Sequence, residues 1–233
     1  MIMERRFEHE LEGLRTSLVK MGSVVEEAIG TAIRALLTRD DALAKKVIDT
    51  DERINSLELE IDNAILDLLA LQQPVASDLR FILASQKINN DLERIGDHAV
   101  NIAESVQALK HFPHVRPMEE IPRMAEITRT MLKEVLDSFI QPDPRTALGV
   151  LKRDDEIDEL NRNVARQVIE VVRKDPQTIE GALAMVRVSR NLERVADLAT
   201  NIAEEVLFYT QARVVKHHAE ERGDLHREHL TNQ

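Results

Sequence analysis

The chain has 233 residues, 43% of them hydrophobic, enough for one large domain or two small ones with a sizeable core. Its formal net charge of −11 repels phosphate backbones and anionic lipid, which argues against nucleic-acid binding and nonspecific membrane docking. There is no cysteine, so disulfides, thiolate metal sites and thiol catalysis are excluded. Aromatics are 3%, and Gly and Pro number seven each, a balance that favours helix over sheet. No apolar run reaches transmembrane length, and MIMERRFEHELEGL at the start has no signal-peptide core. The expectation is a soluble cytoplasmic protein.

In chain order, Leu14, Leu18, Met21, Val25, Ala28, Ala32 and Leu36 recur at 3-4 spacing and predict a first helix. TRDDA then predicts a turn, with Asp40 or Asp41 capping the next helix. The second helix carries Ile54, Leu57, Ile61, Ala64 and Leu68 and ends before Pro74. Ser77 or Asp78 is expected to cap the third, which runs through Leu92, Ile95, Ala99 and Ile102 to about Leu109. HFPHVRPMEEIPR, from His111 to Arg123, holds three prolines and separates two halves. A fourth helix is expected from near Met124, a fifth after QPDP at Gln141, and a sixth after Pro176. Helices of about 30 residues are roughly 45 Å long. Met21, Met124, Met131 and Met185 fall on the core stripes.

The halves are copies of one pattern. LERIGDHAVNIAE, Leu92 to Glu104, returns as LERVADLATNIAE, Leu192 to Glu204, with nine of thirteen letters identical. A shift of 103 places Val47, Asp51, Ile54 and Leu57 on Val150, Asp154, Ile157 and Leu160. The shift falls to 100 at the later motif, and the three extra residues are assigned to LQQPVASD around Pro74. The fold expected is all-α: six long helices in two tandem three-helix bundles related by an internal repeat. The boundaries are residues 1–115, 116–212, and a charged, His-containing tail over 213–233.

On the third helix Glu93, Asp97, Asn101 and Glu104 form one stripe, placed by periodicity roughly opposite the apolar face. Glu193, Asp197, Asn201 and Glu204 repeat it. The preceding helix carries Asp51, Asn55, Glu58 and Asp62 in one half, and Asp154, Asp158 and Asn161 in the other. Antiparallel neighbours bring such stripes together. Like charges at this spacing repel, and a hard cation (magnesium, calcium, manganese or iron) is one remedy. A solvated acidic face softened by Arg94 and Arg194 is the alternative. His98 has Leu198 as its counterpart and reads as a surface or packing residue. Lys87 and Arg187 match across the repeat and read as cover for a helix surface, with anion binding as the alternative. His217, His218, His226 and His229 read as part of a mobile tail, with a metal site as the alternative. No phosphate loop or nucleophile motif is visible, no catalytic residue is assigned, and no enzymatic activity is expected.

These features resemble the PhoU family of bacterial phosphate-signalling regulators, from about Phe7 to Val215. The most specific are the two thirteen-residue motifs, supported by DERIN at Asp51, DEIDEL at Asp155 and PVASDLR at Pro74. The resemblance implies two similar three-helix bundles with one multinuclear metal cluster in each. Carried over by position, the first metal site takes Asp51, Asn55, Glu93, Asp97 and Asn101. The second takes Asp154, Asp158, Glu193, Asp197 and Asn201. The ions implied are divalent or trivalent: iron, manganese, zinc or magnesium. Asn55 stands where the family motif has a carboxylate, so the first site carries less charge. The role implied is negative regulation of phosphate uptake and starvation signalling. The partners implied are the cytoplasmic ATPase subunit of the phosphate ABC transporter and the phosphate-sensing histidine kinase. The chain would reach the inner membrane only through those partners, without inserting, and would form a homodimer. A metal-dependent phosphatase or hydrolase and a metal-free helical scaffold are the alternatives.

Overall fold

The computed structural model describes residues 2–74, 76–110 and 118–212. The first half is α1 (Ile2–Thr38), α2 (Asp41–Gln72) and α3 (Ala76–Leu109). The second is α4 (Glu120–Ile140), α5 (Pro144–Leu151), α6 (Asp154–Lys174) and α7 (Ile179–Gln211), with a 3-10 turn at Pro176–Thr178. Two three-helix bundles related by the internal repeat are therefore present, with the second bundle's middle helix in two pieces. The expected division at 115/116 and the tail from 213 fall outside the described residues.

Local chemistry sets the boundaries. After α1, Arg39 takes a left-handed φ of 53° and the Asp40 N–H donates to the Ala35 carbonyl. Asp40 then caps α2, its Oδ1 accepting from Ala42 N at 2.8 Å and Leu43 N at 3.1 Å. Asp143 caps α5 in the same way, with Pro144 at the first helical position.

Three expectations need correction. Ser77 and Asp78 lie inside the first turn of α3, which already starts at Ala76. The fourth helix starts at Glu120 rather than near Met124, because Pro122 sits in a first turn, where a missing N–H costs little. The fifth helix is interrupted at Lys152–Arg153. There Asp154, Asp155 and Glu156 favour a fresh N-terminus through the helix dipole. An ion pair of 2.7 Å from Arg153 Nη1 to Glu134 Oε2 fastens the break to α4.

The predicted apolar stripes are the core. Leu14, Leu18, Met21, Ile54, Leu57, Ile61, Leu92, Ile95 and Ile102 are all buried. Each such side chain contributes about 1.5–3 kcal/mol relative to exposure. Within the first bundle α2 comes close to α3 at Gly96, where a Cβ would stand 2.8 Å from Ile54 Cδ1.

The halves pack together through α3 against α7 and α1 against α4. Both contacts run antiparallel. Lys87 Nζ reaches Glu205 Oε1 at 2.6 Å, and His98 Nδ1 hydrogen-bonds Asn191 Oδ1 at 2.8 Å. Arg15 Nη1 donates to the Ile140 carbonyl at 3.1 Å, and Arg129 lies 3.6 Å from Glu26. Phe81, Phe139 and Tyr209 close one end of this seam. The two Phe rings stack with centroids 5.4 Å apart, and the Tyr209 hydroxyl donates to the Phe139 carbonyl. Lys87, read from sequence as cover for a helix surface, and His98, read as a surface or packing residue, thus tie one half to the other.

Candidate functional site

The acidic stripes lie along the grooves α2/α3 and α6/α7. In the first groove the register is fixed by Asn89. Its Nδ2 donates to the Glu58 carbonyl at 3.1 Å and to Asp62 Oδ1 at 2.8 Å. Gln86 Nε2 also reaches Asp62 Oδ1, at 2.9 Å. In the second groove the Ser189 hydroxyl donates to Asn161 Oδ1 at 2.9 Å. Asn89 and Glu58 are the counterparts of Ser189 and Asn161, so the same register recurs in both halves.

The expectation that the stripes lie opposite the apolar faces holds for Asp97, Asn101 and Glu104, which are exposed, and is corrected at the first residue of each stripe. Glu93 and Glu193 are half-buried at the flank of the core. The reason is that α3 and α7 bury a broad arc, each packing on its own bundle and on the other. The face opposite one core contact is therefore the edge of another.

Electrostatics mark the first groove. Burial raises the Glu93 carboxyl above its ordinary range, and the charges of Asp97, Glu58 and Asp51 raise it further. Glu58 is raised likewise by burial, then by Asp62 and Asp97. Asn55 Nδ2 donates to Asp51 Oδ2 at 3.0 Å, while Asp51 Oδ1 is buried without a hydrogen-bond partner. The arginine expected to soften this stripe, Arg94, lies 3.4 Å from Asp91 and opposes the rise at Glu93 only as the smallest of these effects. In the second groove burial raises Glu193, and Asp197 and Asp158 add to it. Here Arg194 does compensate, at 2.8 Å from Asp197 and 3.6 Å from Glu193.

The structure thus brings together Asp51, Glu93 and Asp97 in one groove, and Asp158, Glu193 and Asp197 in the other. Glu58, outside the set carried over by resemblance, belongs with the first. Its signal was present in the sequence, three residues after Asn55 on the same stripe. Asp154 is buried in the first turn of α6. Asn101 is exposed. Asn201 is exposed beside Asp91 of the other half, whose carboxyl it helps to hold down. Among the described residues no three Asp, Glu or His side chains are gathered closely enough to form a finished metal cage. The donors fit a hard cation in kind: carboxylate and amide oxygens, mutually repelling, with Asp51 Oδ1 buried and unbonded. Closing around an ion requires side chains to turn toward one another across each groove. The tail histidines lie outside the described residues.

Asp91, between the halves, drew no attention in the sequence. It is 8% exposed, and burial pushes its carboxyl up to about 6. Arg94 and Asn201 oppose that rise and Glu205 adds to it.

The PhoU domain family matches this chain twice, over residues 18–106 and 121–206. A phosphate-specific transport system accessory protein PhoU homolog of Aquifex aeolicus is 39% identical over 216 residues, 92% of this chain and 98% of its own. The homolog from Zymomonas mobilis is 35% identical over 88% of this chain and 86% of its own. The crystal structure of PhoU from Pseudomonas aeruginosa superposes with a TM-score of 0.86 at 35% identity, covering 89% of this chain and all of that one. PhoU from Streptococcus pneumoniae, described as the phosphate transport system regulatory protein, gives 0.84 at 30% identity, covering 90% of this chain and 99% of that one. With both halves matched in sequence and nearly the whole length matched in structure, the chain belongs to the PhoU family.

Proposed function

We propose that this protein is a negative regulator of phosphate uptake and phosphate-starvation signalling. It acts as a metal-holding helical adaptor between the ATPase subunit of the phosphate ABC transporter and the phosphate-sensing histidine kinase. The observation that carries this reading is full-length similarity to proteins named for an accessory role in phosphate transport. The chain works in the cytoplasm, at the membrane surface through its partners; among the described residues no helix is long and apolar enough to cross a membrane. It regulates by binding and catalyses no reaction, and it pairs as a homodimer. In each groove a divalent or trivalent cation (iron, manganese, zinc or magnesium) would be held by the carboxylates gathered there, Asp51, Glu58, Glu93 and Asp97 in one and Asp158, Glu193 and Asp197 in the other. It supplies the positive charge these carboxylates lack and braces the two helices that present the surface to a partner.

Deleting the gene should leave a starvation-response reporter on in phosphate-rich medium, and restoring the chain should switch it off. A reporter that stays repressed in the deletion strain, with no second copy of the gene present, would remove the regulatory reading.

A further inference from the structure

The two hairpin tips differ in a way that the repeat makes visible. Asp62 and Gln86 meet across the α2/α3 groove. Following each stripe toward the tip, Asp62 leads to Leu66 and then Leu69, and Gln86 leads to Leu83 and then Leu79. The antiparallel register sets Leu66 level with Leu83, and Leu69 level with Leu79. All four are exposed, Leu66 at 62% and Leu83 at 43%. Leu59, seven residues before Leu66 on the same side of α2, is 61% exposed. Single exposed leucines are ordinary, but a contiguous set lining a groove between two helices is not.

The sequence through this tip is mostly acidic, with Arg80 the first cation after Leu79. From Ile54 to Leu79 the sequence has five acidic residues, Glu58, Glu60, Asp62, Asp67 and Asp78, and no Lys, Arg or His. The corresponding stretch of the second half, Ile157 to Ile179, carries Arg162, Arg166, Arg173 and Lys174. The apolar positions are partly kept there, with Ile169 for Leu66, Ile179 for Leu79 and Leu183 for Leu83. Arg162, however, replaces Leu59 and Lys174 replaces Leu71. The arginines of α6 are also satisfied within their own helix, Arg162 and Arg166 by Glu159 and Arg173 by Glu170. They are not a free cationic mate for the first tip in a second copy.

We infer that the α2/α3 tip of the first half is a docking groove for a cationic amphipathic helix of a partner protein. Apolar residues at i, i+3 or i+4, and i+7 of that helix would seat on Leu59, Leu66 and Leu83. Its flanking Lys and Arg would meet Glu60, Asp67 and Asp78. The inference deepens the adaptor reading and rests on it for the existence of a partner, but the groove uses none of the residues assigned to metal.

The test uses the full chain and three synthetic helical peptides read by isothermal titration. One is a Leu/Lys amphipathic peptide, one has Glu for every Lys, and one has the same Leu and Lys in scrambled order. The Leu/Lys peptide is expected to bind, and the other two are not. Leu59→Gln with Leu66→Gln should weaken binding about tenfold or more, a change of roughly 1.4 kcal/mol, with helicity unchanged because both positions are exposed. Ile169→Gln with Leu183→Gln should leave binding intact. No binding, equal binding of the scrambled peptide, or equal loss in both double variants would overturn the inference. So would sedimentation showing that the first double variant splits a dimer, which gives the groove to a second copy. Peptide binding by a chain that binds neither transporter ATPase nor kinase would leave the groove standing and remove the adaptor reading.

Discussion

Replacing Asp91 with Asn is expected to stabilise the protein at neutral pH, and the gain is expected to vanish on acidification. Asp91 lies in the seam between α3 and α7, where burial pushes its carboxyl from 3.8 up to about 6. Arg94 at 3.4 Å and the Asn201 amide recover part of that cost, and the nearby Glu205 charge adds to it. Lys87 is engaged by Glu205, and His98 hydrogen-bonds Asn191, so neither is directed to Asp91. The folded chain holds the Asp91 proton to a higher pH than the unfolded chain does. Between about 4 and 6 the native state therefore binds more protons, and stability falls as pH rises through that window. Above it the loss is complete, on the order of 3 kcal/mol at most at about 1.4 kcal/mol per pKa unit. The repeat supplies the isostere, because the counterpart of Asp91 is Asn191. Thermal melts of parent and Asp91→Asn in metal-free buffer should differ by several degrees at pH 7.5 and converge near pH 4. Equal melting temperatures throughout would mean that the ionised carboxylate is accommodated in the seam at no cost.

The second large effect is protection by divalent or trivalent cations. Glu58, Glu93 and Glu193 are all raised, first by burial and then by neighbouring carboxylates. By the same sign argument, each costs stability once ionised, so the grooves are strained at neutral pH without a counter-charge. A cation that binds the folded chain alone adds about 2.7 kcal/mol at one hundred times its dissociation constant. Iron, manganese, zinc or magnesium should therefore raise the melting temperature of the parent. Glu193→Gln with Asp197→Asn should be more stable than the parent in chelator, and should lose the part of the response that belongs to the second groove. Glu93→Gln with Asp97→Asn should do the same for the first. The first groove should gain more from neutralisation, because Arg94 pairs with Asp91 while Arg194 stays with Asp197. A parent chain indifferent to all four ions would leave the stripes as acidic faces.

Much of this architecture was legible in the letters. The stripes from Leu14 to Leu36 and from Leu92 to Ile102 are the buried faces, and Asp40 is the cap that TRDDA suggested. The duplication was readable because both copies keep polar as well as apolar positions. What escaped was set by contacts between the halves. Periodicity finds the face a helix turns to its own bundle, but α3 and α7 also pack on each other, and that second contact leaves no separate rhythm. It moved Glu93 and Glu193 to the flank, set Asn201 beside Asp91, and made Lys87 and His98 partners across the seam. The break before Asp154 was hidden because KRDDE holds no proline or glycine, only a reversal of charge sign that suits one helix ending and another beginning.

The measurement closest to the central claim is a binding titration between the full chain and the cytoplasmic ATPase subunit of the phosphate ABC transporter from the same organism. It would be run with the chain metal-loaded, chelated, and as the Glu193→Gln, Asp197→Asn variant. Saturable binding by the metal-loaded chain, weakened both by chelation and by the variant, is the predicted result. Absence of binding in every metal state, by a chain of intact helicity, would contradict the adaptor account.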